Sequence, residues 1–343
     1  MINITNLVRK NVRNLIPYSC ARDEFRGSEG IFLDANENPF GTLNRYPDPY
    51  QKELKSVISR LKNVPEGKIF LGNGSDEIID LALRIFCNPG TDKALTFTPS
   101  YGMYEVSAAA NDVEMTRIPL DERFDIDYRS TIPCFRDKNL KLIFICSPNN
   151  PTGNCQDKKV IESILSGFNG IVLLDEAYID FANERSFKDR IDEYPNLIVM
   201  HTMSKAYGMA SVRIGMAFAQ PSVLHYFSKM KAPYNISTVN QQTVISRLSD
   251  PGLCRNEADM IINERKRLSA ELAELTTTLK VYPSDANFIL VKVRDAQKTY
   301  NYLSDNGIIV RNRSSAVDNC IRITVGTPAE NDILIKALKS FES

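Results

Sequence analysis

A lysine, two hydroxyls and an arginine stand close together in TMSKAYGMASVR: Thr202, Ser204, Lys205 and, eight residues past the lysine, Arg213. A lysine amine condenses with an aldehyde to give a Schiff base, while hydroxyls and a guanidinium suit a phosphate. The set fits an anionic group held covalently, although a lysine after a strand is more often a solvated surface residue. A second centre is Asp175, which follows the apolar run 171–174 and precedes Glu176, Ala177 and Tyr178. An acid at the end of a buried strand is costly unless it meets a cation or several donors. A protonated ring nitrogen would be such a cation; so would a metal ion, as at strand ends in nucleotide hydrolases. Tyr178 could then reach an oxygen on such a ring.

Three further stretches carry usable groups. In GNGSDE (72–77) the glycines let backbone approach a ligand, and the helix that follows offers free N–H groups to an anion. Ser75 is the expected N-cap, with Asp76 and Glu77 suited to the first turn. Glu77 occupies the place where a dinucleotide fingerprint needs Gly or Ala, and no P-loop lysine follows. In SPNNPTG (147–153) prolines flank Asn149 and Asn150, so a stiff loop could present one amide as a donor. Tyr101, just past an apolar run, could stack on a flat ring or belong to the core.

Each of these groups follows a strand-like segment: 68–71, 94–98, 140–146, 171–174 and 197–200. Strands and helices alternate from about 68 to 212, the pattern of an α/β layer with a mostly parallel sheet. Ligands of such sheets collect beyond the carboxyl ends of the strands. From about 241 the pattern changes. A long helix is expected over 258–280 on the spacing of Ile261, Leu268, Leu272, Leu275 and Leu279. Strands over 287–293, 308–311 and 321–325, a helix over 296–306 and a final helix complete a small α+β domain. Strand alternation sets Arg322 and Thr324 opposite Ile321 and Ile323. Arg311 ends the neighbouring strand. The two arginines form either an anion clamp or a solvated sheet face.

The 343 residues carry 42 basic and 42 acidic side chains and are 43 % hydrophobic. That balance argues against a nucleic-acid footprint or an electrostatic membrane anchor, and no apolar run reaches transmembrane length. The N-terminal stretch has no signal-peptide core and reads as a short helix or arm. The seven cysteines are odd in number and lack CxxC spacing, so neither a disulfide framework nor a zinc site is expected, and a cytoplasmic location fits. Two histidines, His201 and His225, give little material for a metal site or a catalytic triad. His201 either lines the site or packs at a strand end.

In order along the chain, NVRNLIPYSCARDE, LDANENPFG, NRYPDP, GNGSDE, PSYGMY, SPNNPTG, DEAYIDF, TMSKAYGMASVRIG, APYNIS, ANFIL, GIIVR and IRITVGT resemble the fold-type I pyridoxal-phosphate (PLP) aminotransferases. The likeness is greatest to the histidinol-phosphate aminotransferase family and spans nearly the whole chain. It implies a large PLP-binding domain over 46–240 and a smaller domain over 241–343, with an N-terminal arm and part of the small domain in 1–45. It implies that Lys205 carries the cofactor, that Asp175 pairs with the pyridine nitrogen, and that Tyr178 and Asn150 bond the ring's 3-oxygen under Tyr101. The cofactor phosphate falls to the backbone of Ser75 and Asp76 and the side chains of Thr202, Ser204 and Arg213. Tyr46 would reach that phosphate from a partner subunit, making the active unit a homodimer. Tyr18, Arg311 and Arg322 would hold the substrate phosphate, with Tyr234 a candidate wall for an imidazole.

The implied reaction is ping-pong amino transfer between histidinol phosphate or imidazole-acetol phosphate and 2-oxoglutarate or glutamate, in histidine biosynthesis. Rivals on the same fold are an aromatic amino-acid aminotransferase, a threonine-phosphate decarboxylase and a silent binding protein. From another class, a nucleotide-binding dehydrogenase is disfavoured by Glu77.

Overall fold

The computed structural model describes residues 2–19 and 30–342; Cys20 and the rest of the expected arm over 21–29 lie outside them. Seven strands form the larger sheet: β1 (Ile69–Asn73), β2 (Lys93–Thr98), β3 (Glu114–Pro119), β4 (Leu140–Cys146), β5 (Ile171–Asp175), β6 (Leu197–Thr202) and β7 (Ile214–Phe218). Their order is β1-β7-β6-β5-β4-β2-β3. Pairs β2–β3, β2–β4, β4–β5 and β5–β6 are parallel, whereas β7 runs antiparallel to both β6 and β1.

The central strands are mostly apolar because both faces are covered. On one face Leu95, Ile143, Ile145, Val172, Leu174, Leu197 and Val199 share a core. Their alternate neighbours Ala94, Leu142, Phe144, Ile171, Leu173, Ile198 and Met200 join the core on the other face. That second core also takes Ile4, Val8 and Val12, so the N-terminal segment wraps the sheet with its apolar side, while Lys10 and Arg13 stay exposed and Arg9 donates to Arg84 O at 2.8 Å.

The smaller sheet contains β8 (Thr278–Val281), β9 (Phe288–Val293), β10 (Arg311–Asn312) and β11 (Cys320–Thr324) in the order β10-β11-β9-β8. All its pairs are antiparallel. One face packs Ile289, Val291, Ile321 and Ile323 against Leu268 and Leu272 of the helix Pro251–Ala273 and Leu334, Ile335 and Leu338 of the last helix. The opposite face carries Arg322 and, through Phe288, meets the larger sheet's core.

Three sequence expectations need correction. The helix expected over 258–280 spans Pro251–Ala273, opened by Asp250, whose side chain accepts from Leu253 N. Leu275 and Leu279 keep helical spacing, but the β-branched run Thr276-Thr277-Thr278 favours extended backbone and leads into β8. The strand expected over 308–311 shrinks to β10. Gly307 turns at φ +74 and Ile308 N caps the preceding helix at Leu303 O, 2.8 Å, which withdraws 308–310 from the ladder. Ser75 is not the N-cap: Asn73 precedes the helix Gly74–Phe86 and makes no side-chain cap bond.

Candidate active site

The groups singled out from the sequence meet at the carboxyl ends of β1, β4, β5 and β6. Because β7 returns antiparallel to β6, the loop joining them stays at that end, and Lys205 stays with it. The loop is held by Met203 N donating to Ile214 O at 3.0 Å, Met209 N to Met203 O at 3.0 Å, and Ser204 N to Thr202 Oγ1 at 3.1 Å. Thr202 Oγ1 in turn donates to Ile214 O at 3.4 Å. The Lys205 ammonium lies 5.6 Å from the centroid of the Tyr178 ring. Burial lowers its pKa, Arg322 and Arg213 add repulsion, and Asp175 and Asp76 only partly oppose them. An amine shifted toward its neutral form is what a nucleophile requires.

Asp175 closes β5, almost wholly buried between Cys146 of β4 and Met200 of β6. Its Oδ2 accepts from the Tyr104 hydroxyl at 2.6 Å and its Oδ1 from Ala177 N at 3.0 Å. Burial pushes its pKa up to about 6 despite both donors. The next acid in the motif is structural. Glu176 pairs with His201 Nε2 at 2.9 Å, bonds Ser186 Oγ and accepts from Phe187 N at 2.9 Å. His201 is thereby a packed histidine, edge-on to Phe218 at 5.1 Å.

The SPNNPTG loop divides its two asparagines. Asn149 locks the loop: Ser100 Oγ donates to its Oδ1 at 2.8 Å, and its Nδ2 donates to Pro99 O at 2.9 Å and Thr152 Oγ1 at 2.8 Å. Asn150 Oδ1 accepts from Arg322 at 2.5 Å, while its Nδ2 has no partner among the described residues. One amide donor is therefore left for a ligand, beside Tyr178, whose buried hydroxyl has its pKa raised by desolvation. Tyr178 is fixed edge-on against Phe288 at 5.1 Å.

At the end of β1, Asn73 pairs with Ile214 and Gly74 N donates to Arg213 O at 2.8 Å, so the start of the helix Gly74–Phe86 adjoins Arg213. The Arg213 guanidinium lies 3.3 Å from Asp76 Oδ2, with backbone in the left-handed region at φ 55. Two glycines make room. A Cβ on Gly74 would sit 2.5 Å from the Arg213 guanidinium, and one on Gly215 would sit 2.5 Å from Gly74 C and Ser75 N. Tyr101 donates to Asp76 Oδ1 at 3.2 Å and stands edge-on to Tyr104 at 5.5 Å.

Residues 24–338 match the family model described as aminotransferase class I and II. The chain belongs to the class I and II aminotransferase family. It is 49 % identical over 345 residues to the histidinol-phosphate aminotransferase of Parabacteroides distasonis, covering 100 % of both chains. It is also similar to the crystal structure of the histidinol-phosphate aminotransferase from Clostridium acetobutylicum. That match has a TM-score of 0.80 at 27 % identity and covers 88 % of this chain and 91 % of the other. The Sinorhizobium meliloti histidinol-phosphate aminotransferase, solved in complex with pyridoxal-5'-phosphate, shares the fold at TM-score 0.77 and 23 % identity, over 90 % of each chain.

For an aminotransferase of this class the group to accommodate is PLP, and the residues present fit it. Asp175 is a buried acid whose raised pKa a ring N–H⁺ would relieve. The helix start at Gly74, uncapped by the Asn73 side chain and facing Arg213, suits a phosphate. The remaining expected residues are farther from this centre. Arg311 is exposed and pairs in register with Arg322. Tyr18 is 71 % exposed in extended chain, and no described contact joins it to the aminotransferase site. Tyr46 stacks on Tyr234 at 4.4 Å and has no described contact with Arg213 in its own chain.

One site residue escaped sequence reasoning. Tyr104 is fully buried, stacks on Phe144 at 4.8 Å and supplies the shorter of the two hydrogen bonds to Asp175. A buried tyrosine usually needs a partner for its hydroxyl, and that was the available signal.

Proposed function

We infer that this protein is a histidinol-phosphate aminotransferase, moving an amino group between histidinol phosphate or imidazole-acetol phosphate and 2-oxoglutarate or glutamate. One observation carries the reading. The chain that sets Lys205 among Asp175, Asn150 and an arginine unpaired with any described acid is 49 % identical, end to end, to a histidinol-phosphate aminotransferase.

Bound at the carboxyl ends of the strands, PLP supplies an aldehyde for the amine and an electron sink for charge at the substrate Cα. Lys205 would hold the cofactor through its amine and would be the group placed to move the proton at the substrate Cα. The lowered pKa of its Nζ supports that role. Asp175 would keep a proton on the ring nitrogen, and Tyr104 holds Asp175 in place. Asn150 Nδ2 and the Tyr178 hydroxyl would hold the ring in orientation, and Tyr101 would cover it. Ser75 and Asp76 would bind the cofactor phosphate by backbone N–H, with Thr202, Ser204 and Arg213 as side-chain partners. Arg322 and Arg311 take the substrate phosphate, and Tyr18 reaches it when the N-terminal segment folds over the site.

The active unit is a homodimer in which Tyr46 serves the partner's cofactor phosphate. Exposed Ile31, Leu33, Phe40 and Leu43, close in sequence to Tyr46, support it, since such an apolar stretch seeks cover. The large domain occupies 46–240 and the small domain 241–343. A cytoplasmic biosynthetic role agrees with the odd cysteine count, and among the described residues no helix is long and apolar enough to cross a membrane.

The test is a side-by-side assay of PLP-loaded protein with histidinol phosphate, phenylalanine and threonine phosphate, each with 2-oxoglutarate. Fast amino transfer from histidinol phosphate is expected. Carbon dioxide release from threonine phosphate, or preference for phenylalanine, would overturn the reading.

A further inference from the structure

We propose that Arg313 is a third cation of the substrate-phosphate subsite and tunes that subsite to a doubly charged anion. The proposal rests on the function inferred above and adds a residue that neither motif matching nor strand alternation singled out.

Strand geometry places it. Arg311 lies directly opposite Arg322 in the β10–β11 register, and Arg313 N donates to Cys320 O at 2.8 Å, extending that ladder one step past β10. Residues two apart on a strand share a face, so Arg313 emerges on the same side as Arg311 and Arg322. The three guanidiniums feel one another. Burial lowers the pKa of Arg313, with Arg322 and then Arg311 adding repulsion. Arg322 is lowered by burial and by Arg311, with Tyr178 opposing.

This cluster lacks a counter-charge among the described residues. Among the described residues no carboxylate pairs with Arg311, Arg313 or Arg322, and the buried Nε atoms of Arg313 and Arg322 have no hydrogen-bond partner. Arg267, by contrast, sits among Glu264, Glu271 and Asp332, and Arg190 between Glu162 and Glu193. Three like charges gathered on one face without a described acid are held at a cost that a bound anion removes. A carboxylate is matched by one forked guanidinium, whereas a phosphate monoester, doubly charged above a second pKa of about 6, can accept from several. The third arginine thus adds most for the ester and least for a carboxylate substrate.

The experiment is steady-state kinetics of PLP-loaded Arg313→Met and Arg313→Lys beside the unsubstituted enzyme, with inorganic phosphate as a competitive probe. Arg313→Met should raise KM for histidinol phosphate and the inhibition constant of inorganic phosphate about ten-fold, with kcat nearly unchanged. Its effect on KM for glutamate should be several-fold smaller. In the unsubstituted enzyme, KM for the ester should fall as pH rises through about 6, where the phosphate loses its second proton, and less steeply in Arg313→Met. Arg313→Lys, which keeps a charge on a flexible stem, should fall between the two and covers the case in which Arg313→Met folds poorly. Unchanged ester KM in both variants, or equal losses for ester and glutamate, would overturn the proposal. An unsubstituted enzyme that fails to use histidinol phosphate at all would instead overturn the functional reading beneath it.

Discussion

Asp175 and Lys205 are shifted in opposite directions by the same loss of water, the acid up to about 6 and the amine down. Each is carried toward its neutral form, and a ring with a protonated nitrogen and an aldehyde answers both. The acid's shift has a sign that can be checked on cofactor-free protein. With a folded pKa above the unfolded value of about 4, Asp175 favours folding while protonated, and that advantage is lost as pH rises from about 4 to about 6. The stability gap between Asp175→Asn and unsubstituted apoprotein, from urea unfolding, should therefore move toward the variant by up to roughly 3 kcal/mol between pH 4 and pH 7. A pH-independent gap would contradict the assignment. Tyr104→Phe removes the 2.6 Å hydrogen bond to the carboxylate. We expect it to weaken PLP binding in a spectral titration by about ten-fold, in line with about 1.5–3 kcal/mol for a bond to a charged group. At this scale the positions of Lys205, Asp175 and Asn150 were legible from the strands they follow, and that of Arg322 from the alternation within β11. Tyr104 was not, since an aromatic at a helix start reads as core. The unlike roles of Asn149 and Asn150 were equally hidden, because their difference lies in contacts with Ser100 and Arg322, distant in sequence.

The strands of the larger sheet and the helix after GNGSDE were legible from apolar runs and glycines, but the direction of β7 was not. Local pattern does not state a partner, and it is the reversal of β7 that keeps Lys205 and Arg213 at one end of the sheet. The overrun of the long helix has the same origin, because leucine spacing persists into residues that pair with β9 instead. The crossing of β7 and the Gly74 helix is tight enough to test. Gly215→Ala would press a methyl group onto backbone at 2.5 Å. Such overpacking costs about 1–3 kcal/mol, so we expect a lower unfolding midpoint together with weaker PLP binding. Gly102→Ala, with nothing within 4 Å of the added Cβ, serves as the control and should leave both nearly unchanged.

The molecule as a whole has no net charge, so its association is governed by shape and apolar surface rather than by long-range attraction. Phe40 at 81 % and Leu43 at 72 % exposure lie in the segment that leads to Tyr46. We expect the protein to sediment as a dimer, and Phe40→Glu with Leu43→Glu to shift it toward monomer. PLP affinity should fall in step if, as proposed, Tyr46 serves the partner's site. A monomeric variant with undiminished affinity would show the site to be complete within one chain. The sequence points to the proposed dimer through family likeness alone, since no pattern within a single chain marks the surface of its own copy.

The most direct measurement is a single half-reaction. PLP-loaded protein is mixed with histidinol phosphate without any 2-oxo acid, and the cofactor's visible absorbance is followed. We expect rapid loss of the aldehyde-form absorbance in one stoichiometric turnover with unsubstituted protein, and none with Lys205→Ala. An unchanged spectrum in the unsubstituted protein, or an equal response from both, would contradict the assignment of Lys205 and the chemistry built on it.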